Sequence, residues 1–168
     1  SELKRGEASY LAGKGMLAPG QNLRVMMTEQ DRVTYEKALG QLNIPVEAFD
    51  GCKPWYAALM LSLLPLMQQG YSPTDGVEAV LTAQKPPKTV ASALETMEFQ
   101  IGLFDALPYD VQLSYLRSTA KAAPDMKDTV NRMVADWLDG DADKLAELIN
   151  DQDTDPALLE KLLYARNA

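Results

Sequence analysis

The stretch Pro54 to Gly70, PWYAALMLSLLPLMQQG, decides how this chain folds. It opens the longest uncharged run, Pro54 to Thr74, whose apolar heart extends from Trp55 to Met67. That heart is shorter than the ~20 apolar residues a membrane-spanning helix needs, and Pro65 interrupts it. Proline suits a first helical position, where its missing N–H would have no partner, so Pro54 starts a helix. Gly70 ends it, and Pro65 is expected to kink it. A helix this apolar is a core helix, and the rest of the chain has to supply its cover.

Working outward, the neighbouring signals are helical too. Thr28-Glu-Gln-Asp31 has the form of a capping box and opens a segment with Val33, Ala38 and Leu39 apolar, closing near Gly40. Ser72-Pro-Thr-Asp75 is a second capping signature, ahead of Val77, Val80 and Leu81. Two consecutive prolines make Gln84 to Lys88 a loop. Thr89 to Leu94 is the one strand candidate, and a helix follows it to about Leu107. Pro108 starts another, with Val111, Tyr115 and Leu116 toward the core. Ala123-Pro-Asp125 opens a helix in which Val130, Met133, Val134 and Trp137 recur at helical spacing. Gly140 stops it, Asp141 caps the next, and Asp155-Pro156 caps a last one carrying Leu158, Leu159, Leu162 and Leu163. The expected class is mainly α-helical with one or two short strands, residues 1–168 forming a single helical domain. A lone strand needs a neighbour for its backbone groups, and the chain starts at Ser1 and stops after Tyr164-Ala-Arg-Asn-Ala168 without a terminating signal. A piece of a larger protein is the expectation.

Composition narrows the chemistry. A chain of 168 residues with 46% hydrophobic and 24% charged residues is globular and large enough for one sizeable core. The net charge is −8, with no basic stripe, which disfavours nucleic acid as a partner. Between Asp136 and Glu160 nine acids face Lys144 alone, so this window carries the whole net charge. Cys52 is the only cysteine and there is no histidine, which excludes a Ser-His-Asp triad and a Cys/His zinc site in this chain.

The acidic window invites a calcium test. Asp139-Gly-Asp-Ala-Asp143 has oxygen ligands at positions one, three and five of an EF-hand loop. Lys144 then stands where the loop needs Gly, and Asn150 where it needs Glu; Asp151 to Asp155 fails likewise at Pro156 and Leu162. These aspartates read as helix caps. Lys53 beside Cys52 could lower the thiol's pKa, though a reactive role lacks a second Cys or a His. Most methionines fall at helical apolar positions and read as core filling. Glu95 has two readings. It is a working carboxylate at the end of the strand candidate, or it belongs to a local cap, through Ser92-Ala-Leu-Glu95 or ahead of a Thr96 cap. Arg166 and Asn167 suit a helix C-terminus, yet an Arg can also clamp a carboxylate, and Glu95 is a candidate partner.

Five stretches, KPWYAALML (Lys53 to Leu61), GYSPTDGVEAVL (Gly70 to Leu81), LETMEFQIGLFDALP (Leu94 to Pro108), ADWLDGDADKL (Ala135 to Leu145) and LLEKLLYARNA (Leu158 to Ala168), follow one another as in the TraB/GumN family. The chain thus resembles a family related to the Tiki proteins and, more distantly, to erythromycin-esterase-like proteins. The resemblance implies an α+β fold of small sheets wrapped by helices around a cleft, of which this would be the central part. It implies a metal-dependent hydrolase or peptidase whose two G-x-x-H motifs flank the region, and a periplasmic or cell-envelope location from its bacterial relatives. Neither motif is present here, and Gly76-Val-Glu78 replaces the more usual Gly-Val-Asp. Glu95 and Arg166 are then the candidate catalytic residues, and Glu78, Gln100 and Asn167 the candidate binding residues, with no metal or other cofactor expected in this chain alone and a divalent metal in a full-length relative. The alternative is a non-catalytic helical module that binds a peptide or protein partner.

Overall fold

The computed structural model describes residues 2–72, 76–90, 92, 95–150, 158, 160 and 162. Eight α-helices follow in order among them: α1 (Glu2–Gly15), α2 (Glu29–Gln41), α3 (Pro54–Gln68), α4 (Val77–Gln84), α5 (Met97–Asp105), α6 (Tyr109–Ala122), α7 (Met126–Asp139) and α8 (Ala142–Asn150). A 3-10 turn, Ala123–Asp125, joins α6 to α7. No strand occurs among the described residues, whose one isolated bridge pairs Met16 with Cys52. Thr89, Val90 and Ser92 of the strand candidate are irregular, while Ala91, Ala93 and Leu94 lie outside the described residues. Alternation there is weak, and no partner strand is at hand among the described residues to satisfy its backbone groups. The last expected helix, after Asp155-Pro156, lies outside them except for Leu158, Glu160 and Leu162.

The apolar stretch takes the central place its composition demands. Trp55, Ala57, Ala58 and Leu61 of α3 are fully buried, and α6 is its principal cover through Leu116 and Ala120. Alanines on both helices allow their backbones to approach closely, and Leu39, Ala38 and Tyr35 of α2 close a second side. Burial at roughly 25 cal/mol per Å2 of apolar surface makes this contact the main source of stability. Pro54 sits in the first turn as expected. Pro65 is buried inside α3, which continues through it to Gln68. Beyond the end, Gly70 adopts φ +87° so that Tyr71 N–H reaches Leu66 O at 3.1 Å and Gly70 N–H reaches Met67 O at 3.0 Å. Gly140 (φ +73°) ends α7 by the same device, with Asp141 N–H on Asp136 O at 2.9 Å.

Two further caps follow the sequence, whereas the signature at Ser72 to Asp75 lies mostly outside the described residues and α4 is preceded by Gly76, which makes no side-chain cap bond. Thr28 Oγ1 accepts from Asp31 N–H at 3.2 Å and donates to Asp31 Oδ2 at 2.9 Å. Asp141 Oδ1 accepts from Lys144 N–H at 3.1 Å and so starts α8. Of the apolar residues read on α2, Ala38 and Leu39 are buried, together with Tyr35, while Val33 faces solvent. The helix turns its 3.6-residue face toward Tyr35, Ala38 and Leu39, a spacing that leaves Val33 outside.

The loop between α1 and α2 is tied to the segment before α3. Leu17 N–H meets Gly51 O at 2.8 Å, Leu23 N–H meets Asp50 O at 2.8 Å, and Lys53 N–H meets Gly15 O at 2.7 Å. Arg24 strengthens this seam with a fork on Asp50, Nε to Oδ1 at 2.6 Å and Nη2 to Oδ2 at 2.7 Å, and reaches Glu36 of α2 at 3.1 Å. The fork holds the Asp50 carboxyl below the usual carboxylate range. A depressed folded pKa stabilises the fold above the unfolded value and loses that contribution as pH falls through the folded one. Stability should therefore decline below about pH 4. Asp50→Asn should flatten that decline while lowering the urea midpoint at pH 7, both read from unfolding curves at a series of pH values.

Candidate functional site

Thr96 decides the local geometry around Glu95. Its extended backbone (φ −87°, ψ 157°) and its Oγ1, accepting from Phe99 N–H at 3.1 Å, make it the cap of α5. Glu95 therefore stands one residue outside the helix, half-buried, and does not serve as the third residue of a Ser92 capping box. Gln100, one turn into α5, donates through Nε2 to Glu95 Oε2 at 3.2 Å. The structure thus brings together two candidate residues, Glu95 and Gln100. Glu78 belongs to α4, but its side chain lies outside what the structure describes, as do Arg166 and Asn167 altogether. Replacing Thr96 with Val should cost about 1 kcal/mol of stability through the lost cap, whereas Glu95→Gln should leave the denaturation midpoint nearly unchanged.

The opposite end of α5 carries a contact that the sequence concealed. Asp105 Oδ1 accepts from Lys53 Nζ at 2.5 Å and from Trp55 Nε1–H at 3.2 Å, joining the end of α5 to the start of α3. Around it Trp55 stacks on Phe104 with centroids 6.1 Å apart, meets Tyr56 edge-on at 5.7 Å, and Phe104 reaches Tyr115 at 6.0 Å. Lys53 is thereby committed to Asp105 and not to its neighbour Cys52, in keeping with the unreactive reading of that thiol. Cys52 is buried, and burial pushes its thiol pKa up. Nearby, burial likewise pushes the Tyr35 hydroxyl up, helped by Cys52 and Asp50, and this hydroxyl has no hydrogen-bond partner among the described residues. Spacings of 50 and 52 residues between partners leave no local signal from which sequence reading could have found the Asp105 contacts.

An open cleft of about 760 Å3 lies between α7 and α8, lined among others by Arg132, Asp136, Lys144 and Glu147. Its cations and carboxylates balance, and Lys144 is already paired with Asp141 at 2.7 Å. No group of three or more Cys, Asp or Glu side chains among the described residues is placed to hold a metal ion. No helix among them is long and apolar enough to cross a membrane.

The model of the TraB/PrgY/gumN family matches residues 3–168. The chain belongs to the TraB/PrgY/gumN family. Neither a curated protein nor a solved structure matches it. Of the stretches that carry the resemblance, one starts α3 with Lys53 and Trp55, one includes α5 with its Thr96 cap and Asp105, one spans the α7–α8 turn at Gly140, and one runs into α4 with residues 73–75 outside the described ones. The fifth, Leu158 to Ala168, falls mostly outside the described residues.

Proposed function

We propose that this chain is the helical body of a TraB/PrgY/gumN-type metal-dependent hydrolase, and that on its own it does not hydrolyse peptides. Family membership across residues 3–168 carries the reading. Two facts support the reading: the sequence has no histidine to ligate a zinc-type centre, and the described carboxylates do not gather in a group of three or more. No catalytic step is therefore assigned to a metal here. Glu95 and Gln100, paired ahead of α5, form the polar element this chain would contribute to a cleft wall. Metal analysis of the purified chain, with a peptide-hydrolysis assay of it and of Glu95→Gln, tests the proposal. No stoichiometric metal and no turnover are expected; bound metal with turnover that Glu95→Gln abolishes would sink it.

A second reading, a non-catalytic helical module for a peptide or protein, is supported by a different observation. Neither α7 nor α8 has a buried residue, although both are strongly amphipathic by sequence.

A further inference from the structure

The apolar stripe of α7 does not end where its cover ends. Val130, Met133 and Val134 are half-buried, but Trp137 and Leu138 in the last turn are 68% and 81% exposed. Ile149 of α8 is 48% exposed as well. Two large apolar side chains in adjacent positions, each mostly in water, form a surface that costs free energy until something covers it. What surrounds them limits what that can be. Asp136 and Asp139 flank the pair in sequence, and Asp143 and Glu147 follow on α8. Lys144 is held by Asp141 at 2.7 Å and Arg132 shares the cleft with Asp136 and Glu147, which leaves Asp139 and Asp143 as the surplus negative charge at this end. A second copy of this face would bring the same carboxylates against themselves, and an anionic membrane or a nucleic acid would be repelled for the same reason. A cationic amphipathic segment satisfies both requirements, its apolar side chains covering Trp137 and Leu138 and its Lys or Arg residues meeting the carboxylates.

We infer that the end of the α7–α8 hairpin, centred on Trp137 and Leu138, is a docking surface for a basic amphipathic helix of a protein partner. The inference rests on the binding-module reading and adds its place and its partner's chemistry. The probe is a synthetic helical peptide with Leu on one face and Lys on the other, beside a counterpart with Glu for every Lys, both at physiological salt. Tryptophan emission reports docking, because Trp55 is fully buried and Trp137 is the exposed member of the pair. The Lys peptide should shift the emission to the blue with saturation. Leu138→Ser, which leaves the charge unchanged at an exposed position, should weaken binding about tenfold, and Asp139→Asn with Asp143→Asn a further few-fold, since exposed ion pairs are individually weak. Equal binding of the Glu peptide, a dimer that Leu138→Ser dissolves, or binding indifferent to Leu138→Ser would each overturn the assignment. Indifference to Leu138→Ser with binding intact removes only this surface, whereas no binding of either peptide removes the module reading too.

Discussion

Replacing Trp55 by Ala should destabilise the fold by about 3–5 kcal/mol, the usual cost of emptying a fully buried aromatic site. A domain of this size has roughly 5–15 kcal/mol in all, so the variant should sit close to unfolding at room temperature. The magnitude follows from what the indole touches. Its ring has no exposed surface, stacks on Phe104 and meets Tyr56 on edge, so truncation opens a cavity where α3, α5 and the aromatic cluster converge. Trp55→Phe separates packing from polarity. It keeps most of the apolar volume and removes only the N–H donated to Asp105, which retains Lys53. Its cost should be about 1.5–3 kcal/mol, the worth of one hydrogen bond to a charged group. Urea midpoints followed by circular dichroism measure both. Emission supplies an independent check, since Trp55→Phe should leave the red-shifted spectrum of exposed Trp137, and Trp137→Phe the blue one of Trp55. A Trp55→Ala protein as stable as the parent would show that α3 is not the centre of the core.

Those expectations rest on what the sequence did and did not expose. Punctuation was legible because its physics is local. Pro54 starts α3, Thr28 and Thr96 cap α2 and α5, Asp141 caps α8, and Gly140 takes the left-handed conformation that ends α7. Faces were less legible. On α2 the sequence reading named Val33 with Ala38 and Leu39 and passed over Tyr35, yet Tyr35 is buried and Val33 exposed. Long-range pairs were not legible at all: Lys53 with Asp105, and Arg24 with Asp50 and Glu36, depend on the path of the intervening chain. For the same reason adjacency in sequence could not show that the Lys53 ammonium group is engaged by Asp105 and not by its neighbour Cys52. Methionine followed the same division: Met27 and Met60 pack on the core as expected, but Met67 is about half exposed. Of the candidate site, only the Glu95–Gln100 pair is visible as a unit, because it too is local.

Gly15→Ala should destabilise the protein although the substitution favours helix. In an unconstrained helix Ala is better than Gly by about 1 kcal/mol. Here a Cβ on Gly15 would lie 2.7 Å from each Cδ of Tyr56 and closer still to its Cγ. The base of that ring cannot swing aside as a side-chain tip can, because Cγ follows the backbone of the first turn of α3. Nor can α1 retreat freely, since Gly15 O accepts from Lys53 N–H at 2.7 Å and the next residues are bridged to Gly51 and Cys52. Overpacking of this kind costs about 1–3 kcal/mol, enough to outweigh the helix gain and give a net loss. The cause can be isolated by a double-mutant cycle. If the ring is the obstacle, Tyr56→Ala should cost less in the Gly15→Ala background than in the parent, because it relieves the clash while removing the same apolar contacts. Equal costs in the two backgrounds would place the strain elsewhere, and a stabilised Gly15→Ala would show that α1 does not close on α3 at this point. The seam between α1 and the start of α3 is therefore held by a missing atom: only glycine lets the backbone of α1 lie against Tyr56 while its carbonyl reaches Lys53.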